Sequence, residues 1–369
     1  MNSTVKKTTP EGGKSFGIKN TNAAKGLAIC LMLLYHLFGA VESASNPECT
    51  YLLLNKESVH FIAGFGNICV SVFVFLTSFG ISKGIFADEN MTLKQAYNKA
   101  AKRFWKLMVS FFIFYVSVQA VWFWCFDYSS LYGHGWEGLM KMLIDSVGLA
   151  NLFGTPVLNM TWWYMTLAYA LIFAVPALAF LVRKTGPAIL IASFFVPFIF
   201  LPGGNPVYGD FGRYFTVCMT AIVVSYTGFC DKFMEWKLNG VFKWLLGILL
   251  MVIAVILRQN PYVQDRLLWA LDAPLSLVTV LFGGALLGSV PVVSNVFSFI
   301  GKHSMHIFFV HTFFYLILWR NFIFGFRYAA LIFVMLLLVS LAYAVVLYYV
   351  KEGVRKLAGL IGKRIRKQS

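Results

Sequence analysis

Residues 22–37 read NAAKGLAICLMLLYHL. The stretch is apolar but for Asn22, Lys25 and His36, and the run continues to 41. Residues 23–41 thus form a segment close to the ~20 residues that an α-helix needs to cross a bilayer. The same texture fills the chain: 59% of its 369 residues are hydrophobic, 17% are aromatic, 12% are charged, and the mean hydropathy is +0.73. A soluble domain carries about a quarter of its residues as Asp, Glu, Lys or Arg. These values exclude an ordinary soluble enzyme, a disordered chain, a collagen and a coiled coil. An outer-membrane barrel is excluded because its strands alternate apolar and polar residues, whereas these runs are solidly apolar. The fold class expected is all-α: a polytopic membrane bundle of about ten helices with no sizeable soluble domain.

Working outward, further apolar runs cover 61–82, 107–126, 162–182, 187–203, 211–229, 241–257, 268–289, 303–319 and 329–350. Residues 83–106 read as a short basic interfacial helix, and 139–153 as a half-apolar stretch on or in the membrane surface. The chain divides into a basic N-terminal segment (1–20), a membrane domain (21–350) and a basic amphipathic tail (351–369). No cleavage site follows the first apolar run, so no signal peptide is expected. With ten spans and the N-terminus inside, 24 of the 31 Lys and Arg residues fall on cytoplasmic segments and 7 on outer ones. This asymmetry is the positive-inside pattern. It places both termini in the cytoplasm of a multi-pass cell-membrane protein, and it assigns the net charge of +16 to the lipid bilayer rather than to nucleic acid. The six cysteines show no CxxC spacing and read as small buried hydrophobes; only Cys49 and Cys125 look extracytoplasmic, within reach of a disulfide. Metal-binding and phosphate-loop motifs are missing, so no metal is expected.

Strongly polar groups inside the hydrocarbon core cost about 2.5–3.5 kcal/mol each, which makes them functional candidates. Lys25 and His36 are eleven residues apart, which returns a helix to within about 20° of the same face roughly 16 Å further along; Asn22 lies near that face. Ser304 and His311, seven apart in GKHSMHIFFVHTFF, also share a face, whereas His306 points elsewhere. Lys25 reads equally as a snorkelling anchor, and the two histidines and Ser304 as interhelical hydrogen-bonding groups. Trp162, Trp163 and Tyr164 open the run at 162 and read as an interfacial belt or as a platform for a sugar ring or acyl chain. Lys99, Lys102, Arg103 and Lys106 form a cationic cluster suited to phospholipid headgroups or to a phosphorylated cytoplasmic donor.

These pieces occur in an order that resembles the acyltransferase 3 family of integral membrane acyltransferases. The family's Arg-x10-His opening is matched by KGLAICLMLLYH, with Lys25 in place of Arg and Asn22 in place of a frequent Asp. NICVSVFVFLTSFGIS matches a glycine-containing apolar segment, with Thr77 and Ser78 at its Ser-Gly position. KRFWKL, WWYMTLAYALIFAVPAL and IGKHSMHIFFVH match later family segments. The resemblance implies transfer of an acyl group, often acetyl, from cytoplasmic acyl-CoA (acetyl-CoA) to a hydroxyl of an extracytoplasmic glycan or other envelope molecule. Acyl-CoA would be a co-substrate, with no permanently bound cofactor. His36 would be the catalytic group, as general base or as an acyl-His nucleophile, with Lys25 beside it. Lys102, Arg103 and Lys106 would meet the donor, while Asn22, Trp162, Trp163, Tyr164, Ser304 and His311 would line the site. Two other classes fit parts of the pattern. A transporter or lipid-linked sugar flippase also uses His and Lys stripes, but no internal repeat is visible. A sensor or scaffold fits the short loops least.

Overall fold

The computed structural model describes residues 15–197 and 206–368. Twelve principal helices run in the order α1 (Ile18–Leu34), α2 (Lys56–Phe65), α3 (Cys69–Phe86), α4 (Leu93–Trp122), α5 (Gly135–Ser146) and α6 (Tyr164–Thr185). They continue as α7 (Pro206–Thr227), α8 (Gly240–Gln259), α9 (Leu268–Leu281), α10 (Pro291–Lys302), α11 (Ser304–Thr312) and α12 (Ala329–Gln368). Shorter helical turns join them, and the described residues contain no β-strand. Among the described residues seven helical stretches are long and apolar enough to cross a membrane. An eighth is added if Phe211–Thr227 and Phe229–Glu235, bent by 57°, form one span. Ser304–Leu318 is apolar but shorter, and the expected span at 187–203 runs beyond the described residues. Ten is therefore an approximate count for a multi-pass helical membrane protein.

Two boundaries differ from those expected. The basic interfacial helix and the third span are one helix, α4. A capping box starts it, in which the Thr92 hydroxyl accepts from the Gln95 N–H at 3.3 Å and the Gln95 side chain accepts from the Thr92 N–H at 2.8 Å. No Gly or Pro interrupts the sequence before Trp122. The last span and the basic tail likewise form one helix, α12, whose 40 residues extend about 60 Å. The N-terminal segment up to residue 14 lies outside the described residues. All six cysteines are free thiols, Cys49 and Cys125 included.

Helix α1 is the hub. Without a hydrophobic force between helices in lipid, close packing depends on small residues, and α1 buries Ala23, Ala24, Gly26 and Ala28. A Cβ on Gly26 would lie 2.0 Å from the Phe297 carbonyl oxygen, and one on Gly301 would lie 1.8 Å from that of Asn22. Backbones of α1 and α10 thus touch. Gly66 allows the same approach from the other side, where its Cβ would meet the Leu31 carbonyl oxygen at 2.0 Å.

Polar contacts tie the connecting segments together at both rims. At one rim Lys83 pairs with Asp231 at 3.3 Å and donates to the Phe16 carbonyl, and Arg183 donates to carbonyls of Ile85, Asp88, Glu89 and Met91. At the opposite rim Thr50 and Tyr328 form a backbone bridge, and the Arg320 guanidinium donates to the Ser45 carbonyl. Beneath that rim Arg258 and Asp272 form a buried two-point ion pair at 2.9 and 3.2 Å, which accepts a third hydrogen bond, at 2.6 Å, from the Ser71 hydroxyl. It ties α3, α8 and α9 together. On α5, Asp145 accepts from the Tyr132 hydroxyl at 2.6 Å and the Leu158 N–H at 2.8 Å, and burial pushes its carboxyl up to about 6.

Candidate functional site

Helix α1 with the π-helical turn that follows it carries Lys25 and His36, helix α11 carries Ser304 and His311, and the fold brings the two elements together. His36 and His311 meet with ring centroids 5.0 Å apart. Nearer the start of both helices, Lys25 and Ser304 line one cavity of about 200 Å³ together with Thr77 and Tyr164. Neither histidine lines that cavity; Phe308, which does, packs against His311 with ring centroids 6.1 Å apart.

Both histidines sit where regular helix gives way to a π-helical turn. His36 belongs to the turn Tyr35–Gly39, and His311 immediately precedes the turn Phe313–Leu318. Such bulges free backbone groups and re-aim side chains, and they concentrate at functional sites. His311 is fully buried, and its Nδ1 lies 2.8 Å from the Phe308 carbonyl oxygen. A carbonyl oxygen only accepts, so Nδ1 carries the proton in the neutral ring and Nε2 keeps its lone pair. Among the described residues no hydrogen-bond partner meets Nε2. Tyr315, four residues on, stacks against His311 and approaches His36, each at 6.3 Å. Sequence reasoning missed Tyr315, although its i, i+4 relation to His311 puts it on the same helix face.

The remaining candidates are more dispersed. Asn22 contributes its backbone carbonyl to the contact with Gly301. Trp162 is buried in a nest of Phe111, Phe114 and Phe313, and its indole N–H donates to the Phe309 carbonyl at 3.1 Å. It braces the helix that carries His311 and is neither an interfacial belt residue nor part of the cavity wall. Trp163 stacks on Tyr214, and Tyr164 alone of the three reaches the cavity. Lys102, Arg103 and Lys106 are exposed on α4. Arg103 and Lys99 line one small cleft beside Gly84; Lys99 and Lys102 line another beside Asp88. Lys106 lines neither, but the next residue, Leu107, forms part of the Lys25 cavity. Sequence reasoning placed Thr77 only at a family motif position and left Met165 and Phe308 of the cavity wall without a role, because apolar wall residues carry no signal that separates them from lipid-facing ones. His306 is buried away from the pair, and His303 packs edge-on against Phe299 and Tyr348. Among the described residues no group of three or more His, Cys, Asp or Glu side chains could hold a metal ion.

The arrangement offers an imidazole pair deep in a membrane bundle, with a cation, three hydroxyls and a narrow apolar cavity on one side of it. Such a set can hold an acyl chain or thioester arm out of water and move one proton. Comparison with known proteins gives a match to the Acyltransferase domain family over residues 18–349. No curated protein and no solved structure matches the chain. The matched range spans α1 to the membrane portion of α12 and includes every candidate residue above. The chain belongs to the acyltransferase 3 family of integral membrane acyltransferases.

Proposed function

We propose that this membrane acyltransferase takes an acetyl group from cytoplasmic acetyl-CoA and places it on a hydroxyl of an extracytoplasmic glycan or related envelope molecule. The observation that carries this reading is the two-level site: Lys25 with Ser304 below, His36 with His311 above. With both termini cytoplasmic, the Lys25 level faces the side from which an anionic donor arrives. Lys102, Arg103 and Lys106 meet the CoA phosphates as charge-assisted donors. The pantetheine arm lies in the apolar cavity, and Lys25 and the hydroxyls of Ser304, Thr77 and Tyr164 orient the thioester end.

His36 acts as general base. It takes the proton of the acceptor hydroxyl as that oxygen attacks the thioester carbonyl carbon; the C–O bond forms, the C–S bond breaks, and the CoA thiolate leaves with the proton returned by the imidazolium. The test is reconstitution in vesicles with acetyl-labelled CoA supplied at the face bearing Lys102 and Arg103. The expected product is alkali-labile acetyl ester on glycan at the opposite face. Label that never leaves the donor under conditions where the protein is correctly inserted sinks the reading.

A further inference from the structure

The segments that follow the two histidines form a second cavity at the opposite end of the site from Lys25. After His36 the chain turns into residues 40–55, and after His311 into residues 319–328. The Thr50 N–H donates to the Arg327 carbonyl at 2.7 Å, and the Ala329 N–H donates to the Thr50 carbonyl at 3.0 Å. Arg320 adds its bond to Ser45, and the Asn46 side chain donates at 3.1 Å to the carbonyl of Leu37, the neighbour of His36. The two loops are therefore stitched to each other and to the helix end that carries His36. Between them lies a cavity of about 340 Å³, within the range of about 300–1,000 Å³ typical of small-molecule sites. Leu37 and Phe38 form its floor.

The lining is unlike that of a lipid crevice. Asn46, Glu48, Lys56 and His60 supply donors and acceptors of both charge signs, and Tyr51 presents an aromatic ring that packs edge-on against Phe38 at 6.3 Å. A strong anion would meet Glu48 and a cation would meet Lys56, so neither simple ion fits. Many small dipoles around a flat ring suit a polyhydroxylated ligand whose hydroxyls need several partners and whose C–H face stacks on an aromatic. We propose that this cavity binds a sugar unit of the acceptor, with Tyr51 as the platform and the polar residues reading its hydroxyls. The proposal rests on the acyl-transfer reading only for the word acceptor; the sugar site is a property of the loops themselves.

Cys49 lines the cavity as a free, half-buried thiol, and the exposed Cys125 does not line it. The wild-type protein can therefore report on the site without an acyl donor. The rate at which a membrane-impermeant maleimide modifies each cysteine is measured with and without oligosaccharides released by mild acid from the envelope of the expressing cell. At about ten times the dissociation constant, a ligand in the cavity leaves roughly a tenth of the sites open, so Cys49 labelling slows about tenfold while Cys125 is unaffected. Tyr51→Ala should remove that protection and leave Cys49 reactive. Equal Cys49 rates with and without the oligosaccharides, or equal protection of Cys125, overturn the proposal. A protein that protects Cys49 yet transfers no acetyl group contradicts the acyl-transfer reading alone.

Discussion

His36 and His311 approach within 5.0 Å, ring to ring, although 275 residues separate them in sequence. Each sits at a π-helical turn, and the His311 Nδ1 lies 2.8 Å from the Phe308 carbonyl oxygen. That bond holds the His311 lone pair inside the site and orients the ring against His36. In the proposed mechanism His311 acts as a positioning residue that packs against the His36 ring. Replacing His311 by Ala should lower acetyl transfer by roughly 10²-fold, the lower end of what positioned proton-transfer groups contribute. Donor affinity should hold, because Lys102, Arg103 and Lys106, which we propose meet the donor, lie elsewhere. A pH–rate profile unchanged in shape and height would return His311 to a packing role.

Lys25 offers a compact charge with three rotatable donors, where Arg would offer a planar fork. It lines the cavity beside Ser304 and Tyr164 rather than reaching away along the helix toward water. Lys25→Arg should keep much of the activity, and Lys25→Met should lose most of it while still inserting correctly, since Lys19 and other cations remain to set orientation. Initial rates at several acetyl-CoA concentrations separate the roles: wild-type-like turnover by the Met variant leaves Lys25 as an anchor only.

The Arg258–Asp272 pair is buried on both sides, at 4% and 2% side-chain exposure. Removing one partner strands a charge, which costs about 3–5 kcal/mol. Arg258→Met or Asp272→Leu should each lower thermal stability in detergent sharply, and the double replacement should recover most of the loss. Additive losses in that cycle contradict the pairing.

Gly301 has no room for a side chain. Overpacking by one methyl group costs about 1–3 kcal/mol even where neighbours can shift, and here the neighbour is the Asn22 main chain. Gly301→Ala should separate α1 from α10, lower the melting temperature, and reduce transfer by tilting the Lys25 face away from Ser304. A fully stable and active Ala variant would show that the helices pack less closely than described.

Much of this was legible in the sequence, and the unread parts share a physical reason. The stripe Asn22, Lys25, His36 and the pair Ser304, His311 were readable because helical periodicity fixes which residues share a face. That the two stripes face each other was not, since periodicity says nothing about which helices pack. The continuity of α4 was missed because hydropathy marks where lipid ends, not where the helix ends; Leu93–Trp122 crosses that boundary without a breaker. Trp162 looked interfacial by position, yet its indole N–H finds the Phe309 carbonyl in the core. The cavity beyond His36 left almost no trace, because residues 43–55 have no helical periodicity and are held by main-chain bonds to the segment at 319–328.

If His36 is the general base, removing its imidazole should stop transfer without unfolding the protein. Wild-type and His36→Ala proteins, matched for insertion and thermal stability, are compared for transfer of labelled acetyl from acetyl-CoA to envelope glycan. Loss of a general base at the reacting hydroxyl should reduce the rate by about 10²–10⁴-fold, with acetyl-CoA binding retained. Transfer within a few-fold of wild type would contradict the account and leave His36 a structural partner of His311.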